Sequence, residues 1–180
     1  MRIIAGEYKG RRLQPPQNNY IRPTTDKVKE AIFSILNSHV DLYGSRVCDL
    51  FAGTGSLGLE ALSRGAAYCW FGDSSRESLK LLRENISYCR ADDKSNVLAG
   101  DFRYVLDRIK DPCHVFFLDP PYDKGFLPEC VERIRELGLL APEGVIVAEH
   151  RKEEALPEEM ADFRKIKEKK YGTVVISIYG

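Results

Sequence analysis

No Cys-x-x-Cys pair, no His-Glu-x-x-His and no cysteine cluster occurs in this chain, so neither a zinc site nor another metal centre is indicated. The five cysteines (Cys48, Cys69, Cys89, Cys113 and Cys130) form an odd set lying mostly in apolar stretches. That pattern argues against a disulfide framework and suits small core residues in a reducing cytosol. Long apolar runs are also missing: none approaches the roughly 18 residues of a membrane-spanning helix. The opening MRIIAGEYKGRRL lacks the hydrophobic centre of a signal peptide, and a soluble cytoplasmic protein is expected. Net charge is absent as well, because 27 Lys and Arg balance 27 Asp and Glu, which argues against a partner held by electrostatics alone. There is no internal repeat, linker or low-complexity segment. A chain of 180 residues that is 43% hydrophobic can bury one core, so a single domain is expected, with residues 1–40 as an extension and 41–180 as the core.

What is present is organised around V-C-D-L-F-A-G-T-G-S-L-G, residues 47–58. A short apolar run ends at Asp49, Leu50 and Phe51 and passes into a G-x-G-x-x-G turn that opens an amphipathic segment. Gly53 and Gly55 are placed to let backbone approach a ligand, and Gly58 to let the new helix lie close to the sheet. A plain strand-to-helix turn also selects glycine, so the turn by itself implies only room for a nucleotide-like cofactor.

Strand and helix patterns alternate from there. Helix 56–64, strand 67–73, helix 75–88, strand 95–100, helix 102–109, strand 114–118, helix 126–137 and strand 144–150 predict a parallel sheet with helices on both faces. Residues 163–170 and 173–179 predict an antiparallel terminal hairpin, giving seven strands in all. Ahead of this core, residues 2–8 and 11–14 read as a β-hairpin, 14–22 as a loop, and Pro23-Thr24-Thr25-Asp26 as the start of a helix whose apolar face holds Val28, Ala31, Ile32, Ile35 and Leu36.

Four acidic residues fall at the carboxyl ends of the predicted strands: Asp49, Asp73, Asp101 and Asp119. Open α/β sheets bind ligands there. Asp73 follows Gly55 by 18 residues, about the separation at which a carboxylate reaches ribose hydroxyls. Asp119-Pro120-Pro121-Tyr122 directly after the fourth strand is more discriminating. Two prolines stiffen the loop, and the Asp119 carboxylate, Pro120 carbonyl and Tyr122 ring suit a planar group that donates from an exocyclic NH₂.

D-L-F-A-G-T-G with D-P-P-Y resembles the S-adenosylmethionine-dependent amino-methyltransferases. The flanking M-R-I-I-A-G-E-Y-K-G-R-R-L, R-P-T-T-D-K-V-K-E-A-I-F, L-L-A-P-E-G-V-I-V-A-E-H and K-K-Y-G-T-V-V-I-S-I-Y narrow the resemblance to the RsmD family, which methylates N2 of one guanine in small-subunit (16S) ribosomal RNA. It spans nearly the whole chain and implies a Rossmann-like class I methyltransferase fold. It further implies S-adenosylmethionine held by Asp49, Phe51, Gly53, Gly55, Asp73, Ser74, Asp101 and Phe102, with Asp119, Pro120, Pro121 and Tyr122 at the base. A monomer acting on ribosomal RNA or the assembling 30S particle, without metal or membrane, is the expected context. The chain departs from the family pattern at Gly72, Asp73 and Ser75.

Residues 1–30 carry seven basic side chains against three acidic ones, so a polyanion would find its charge there. Arg11, Arg12, Arg22 and Lys27 are the candidate phosphate contacts, with Lys165, Lys167, Lys169 and Lys170 behind them. A solvated surface accounts for the same charges. Three other readings stay open: adenine-N6 methylation through the same D-P-P-Y, an NAD enzyme sharing the glycine turn, and a catalytically silent rRNA-binding assembly factor. His39, His114 and His150 are scattered and carry no assigned role.

Overall fold

The computed structural model describes residues 1–17, 24–122 and 124–180. Arg22, a candidate phosphate contact, and Pro23 of the helix signal lie outside them. The elements run α1 (Asp26–Leu36), β1 (Arg46–Asp49), α2 (Ser56–Ser63), β2 (Tyr68–Asp73), α3 (Arg76–Tyr88), β3 (Ser95–Ala99), α4 (Phe102–Arg108), β4 (Cys113–Leu118), α5 (Phe126–Glu136), β5 (Leu140–Arg151), β6 (Glu159–Met160), β7 (Phe163–Tyr171) and β8 (Val174–Tyr179). They form a mixed sheet of order β3-β2-β1-β4-β5-β8-β7-β6. Strands β1 to β5 pair in parallel, and β8 and β7 return antiparallel.

Strand β4 shows why the sheet is covered on both sides. Its Val115 and Phe117 enter one apolar layer with α1, α2 and α3, while Phe116 and Leu118 enter another with α4 and α5. Side chains alternate across a strand, so a run that is apolar at every position must be buried twice. Gly58 lets α2 settle on this sheet as expected: a Cβ there would lie 2.3 Å from the Phe71 ring. All five cysteines are free and buried. None of the described helices is long and apolar enough to cross a membrane.

Three expectations need correction. The sheet has eight strands rather than seven, the addition being the two-residue β6 paired to the start of β7. Its turn, Ala161-Asp162, has φ of 48° and 67°, the conformation glycine or asparagine normally supplies, so the sequence carries no hairpin signal. Strand β5 begins at Leu140 rather than 144, with a register irregularity beside β4 that accommodates Pro142. The N-terminal hairpin reduces to one antiparallel bridge, Arg2 to Arg12. Its ends are still held by cross-strand bonds, from Ile3 N–H to the Arg11 carbonyl, Gly10 N–H to the Ile3 carbonyl and Leu13 N–H to the Met1 carbonyl (2.9, 2.9 and 3.1 Å). The stretch between bonds α2: Ile4 and Ala5 donate to the Glu60 carboxylate (2.8 and 3.2 Å) and Tyr8 to Ser63 Oγ (2.9 Å). Gly6, at φ +87°, passes so close that a Cβ would sit 1.9 Å from the Ser63 carbonyl oxygen.

Candidate active site

Strand order reverses between β1 and β4, and at their carboxyl ends lies a cleft of about 1070 Å³. Asp49, Phe51, Gly53, Asp73, Ser74, Asp101, Phe102, Asp119, Pro120, Pro121 and Tyr122 all line it. Residues drawn from four strand ends therefore meet at one wall. Gly55 does not line it. It caps α2 with φ +85°, donates to the Ala52 carbonyl at 2.8 Å, and has the Leu82 side chain 2.6 Å from where a Cβ would be. Its lack of a side chain serves the turn and the packing behind it.

The acids do two things at once. Asp73 accepts the Gly53 N–H at Oδ2 and the Ser75 N–H at Oδ1, both at 2.9 Å, so it ties the glycine turn to the start of α3. Asp49 accepts the Gly58 N–H at 2.9 Å. Asp101 caps α4 through the Arg103 N–H (2.9 Å) and pairs with the Arg103 guanidinium, which also bonds Glu129 and lies over the Phe102 ring at 4.3 Å. Phe102 packs between Phe51 and Phe126, at centroid distances of 5.7 and 5.1 Å, and forms an aromatic row along the cleft. Strand-end carboxylates beside this row offer acceptors for sugar hydroxyls and an apolar surface for a flat ring.

The other end of the cleft holds residues that sequence reasoning passed over. Glu149 on β5, Thr24, Arg151, and Tyr171 to Val174 at the β7–β8 turn all line it. The Arg151 guanidinium lies 4.3 Å from the Tyr122 ring centroid, a cation–π contact that braces the ring. The single available signal for Glu149 was a lone acid inside the apolar run V-I-V-A-E-H. Burial, reinforced by the charges of Glu149 and Asp49, holds the Asp119 carboxyl well above the usual carboxylate range.

Among the basic candidates, Lys27 is exposed and lines the cleft, and Arg12 is exposed. Arg11 has a task within the chain: it donates to the Cys89 carbonyl at the end of α3 (2.8 Å) and lies over the Tyr8 ring. A guanidinium suits the carbonyl-rich terminus of a helix. Lys165 is likewise turned inward, donating to the Leu156 carbonyl (2.8 Å) and to Glu168 (2.7 Å). Lys167 and Lys170 are exposed, and Lys169 lies over the Tyr171 ring. His114 accepts the Arg46 N–H, and His150 bonds Ser177 at 2.8 Å. No group of three or more His, Cys, Asp or Glu able to hold a metal ion occurs among the described residues.

The sequence profile of the family described as "Conserved hypothetical protein 95" matches residues 1–180. The "Ribosomal RNA small subunit methyltransferase D" of Escherichia coli strain K12 is 34% identical over 99% of this chain and 89% of its own. The chain belongs to this family, the RsmD methyltransferases. Another relative, "Putative rRNA methyltransferase YlbH" of Bacillus subtilis, is 37% identical over 99% of this chain and 98% of its own. A solved structure titled "Putative methyltransferase yhhF from Escherichia coli" superposes with a TM-score of 0.88 at 33% identity, covering 99% of this chain and 96% of that one. At the level of fold alone, an RNA methyltransferase of Salinibacter ruber in complex with S-adenosyl-L-homocysteine aligns with a TM-score of 0.63 at 16% identity, over 88% of this chain and 92% of that one.

The RsmD fold maintains its cleft at a cost in stability that can be measured. Burial pushes the Asp49 carboxyl up to about 7, against the pull of the Gly58 N–H and with help from the nearby Asp73 charge. An unfolded Asp titrates near ~3.9. The folded form therefore holds its proton more tightly, and this contribution to stability is present below about pH 4 and lost as pH rises towards 7. Asp49→Asn should thus leave stability nearly unchanged at pH 4 and raise it at pH 8, by up to about 4 kcal/mol. Urea unfolding of both proteins at the two pH values checks this; a difference that does not vary with pH would contradict it.

Proposed function

We propose that this chain transfers the methyl group of S-adenosylmethionine to the exocyclic N2 of a guanine in small-subunit ribosomal RNA. The observation that carries the reading is the meeting of Asp119, Pro120, Pro121 and Tyr122 with the β1 glycine turn in one cleft. Family membership supports the RNA substrate, since the relatives' names describe ribosomal RNA methyltransferases.

The residues present fit the cofactor. Asp73, Ser74 and Asp101 offer acceptors at adjacent strand ends, Phe51 and Phe102 an apolar wall, and Gly53 a backbone turn at φ 56°. When bound, S-adenosylmethionine supplies an electrophilic methyl group and leaves as the neutral thioether. The protein's own work is on the amine, whose lone pair is delocalised into the ring. Acceptance of its two N–H groups by Asp119 and the Pro120 carbonyl favours a pyramidal nitrogen and steadies the developing positive charge. The nitrogen forms its new bond to carbon and loses one proton, and the Asp119 carboxylate, with its raised affinity for protons, takes it up. Tyr122, braced by Arg151, gives the base a stacking surface worth about 1 to 3 kcal/mol in single-strand recognition. The base must then be unpaired or flipped out. Lys27 at the cleft and exposed Arg12 support a phosphate-contacting role for the 1–40 extension.

The test is incubation with tritiated S-adenosylmethionine and undermethylated small subunits, followed by digestion to nucleosides. Label in N2-methylguanosine is the expected result. Label in N6-methyladenosine alone would replace the substrate assignment with the adenine reading.

A further inference from the structure

Glu149 stands beside Asp119 at the cleft wall. Leu118 and Ala148 are register partners on β4 and β5, and Asp119 and Glu149 each follow one residue on. Phe117 and Val147, two residues before each acid, lie in the core layer shared with α1, so alternation sends both carboxyls towards that same side. Glu149 lines the cleft although only 8% exposed. The Thr24 hydroxyl bonds its carboxyl, and Oε2 meets no hydrogen-bond partner among the described residues. Buried polar atoms are almost always paired, so an unpaired oxygen at the wall of a binding cleft points to a donor brought by the ligand.

We propose that Glu149 reads the base: its Oε2 accepts the N1–H of guanine while Asp119 and Pro120 hold the neighbouring amine, which selects guanine over adenine. This rests on the methyl-transfer reading above and adds the residue that sets its specificity. The wall offers two carboxyl groups and a carbonyl, which in the ionised state are all acceptors. Guanine presents N1–H next to its amine, a continuous run of donors. Adenine presents a lone pair at N1 next to its amine, and against Glu149 this would set acceptor on acceptor and leave both unpaired. Sites built around such hydrogen bonds reject the mismatched ligand far more strongly than apolar pockets do. Burial pushes the Glu149 carboxyl up to about 7, towards its protonated form, and an N–H donor meeting Oε2 would favour the ionised form instead.

The test uses small-subunit RNA ligated to carry either guanine or 2-aminopurine at the target position. The analogue keeps the 2-amine but replaces N1–H by a lone pair. The wild-type enzyme should favour guanine by roughly 10 000-fold in kcat/KM. Glu149→Gln, whose amide can turn an N–H towards a lone pair, should lose at least tenfold on guanine and hold or gain on 2-aminopurine, so that the ratio narrows or inverts. Equal losses on both bases would overturn the proposal and assign Glu149 a structural role. So would a wild-type enzyme that is indifferent to N1 but fails on 3-deazaguanine, because N3 would then be the atom read. Titration with S-adenosylhomocysteine, expected to stay within about threefold of wild type, shows that the variant is folded. A folded wild-type enzyme that labels no guanine at all would instead defeat the methyl-transfer reading itself.

Discussion

Asp119→Ala is expected to lower the methyl-transfer rate by roughly 100- to 10 000-fold, the range over which a positioned acid–base group acts. S-adenosylhomocysteine affinity should change by less than about threefold, because the acceptors assigned to the cofactor sit on β2 and ahead of α4. Two functions are lost together in this variant: an acceptor for the amine and a destination for its proton. Asp119→Asn separates them, since its amide oxygen can still accept an N–H but cannot take a proton at neutral pH. It should fall between wild type and Ala. The pH profile makes a second, independent check. Burial and the neighbouring carboxylates raise the Asp119 pKa, so the accepting carboxylate form grows as pH increases above the usual carboxylate range. The wild-type rate should climb with pH there, and the climb should disappear in Asp119→Asn. A single-turnover measurement in which Asp119→Ala keeps wild-type activity would remove the loop from the mechanism.

Glu60→Ala should destabilise the protein by about 3 to 5 kcal/mol, the usual consequence of stripping one partner from a buried ion pair. Glu60 and Lys29 are both fully buried, with 3.3 Å between their charged atoms. Burial already lowers the Lys29 pKa, and Glu60 opposes that shift. Without the carboxylate, the ammonium keeps only the Ser56 hydroxyl (3.0 Å) and the Arg2 carbonyl (2.5 Å), and the Ile4 and Ala5 donors and Arg64 lose their acceptor. Lys29→Met should cost less, because Glu60 retains Arg64 at 2.9 Å. Combining Lys29→Met with Glu60→Gln in a double-mutant cycle, read by urea midpoints, gives the coupling directly. Equal losses from Glu60→Ala and Lys29→Met would contradict this account.

The ion pair also shows where local pattern stops being informative. Lys29 lies in a basic stretch and reads as surface charge, yet it is enclosed between α1 and α2. Arg11 and Lys165 turned inward for the same reason, since exposure depends on which distant backbone carbonyl comes within reach. Glu149 is the most consequential example: a lone acid in a buried strand acquires meaning only when β5 is laid beside β4. Thr24, Arg151 and Tyr171 likewise reach the cleft from segments far apart in the chain.

By itself the sequence determined the alternation of strands and helices, the turn at Gly53 to Gly58, the row of strand-end acids and the rigid D-P-P-Y loop. Each of these is encoded within a few residues, through side-chain period, glycine's tolerance of positive φ or proline's missing donor. The tertiary structure alone decided the partners: that Asp73 braces the glycine turn it stands beside, that the middle of the N-terminal arm bonds α2, and that Glu149 comes to share a wall with Asp119. Those outcomes depend on which unsatisfied donors and acceptors are brought together when the sheet closes its core, and no short stretch of chain carries that information.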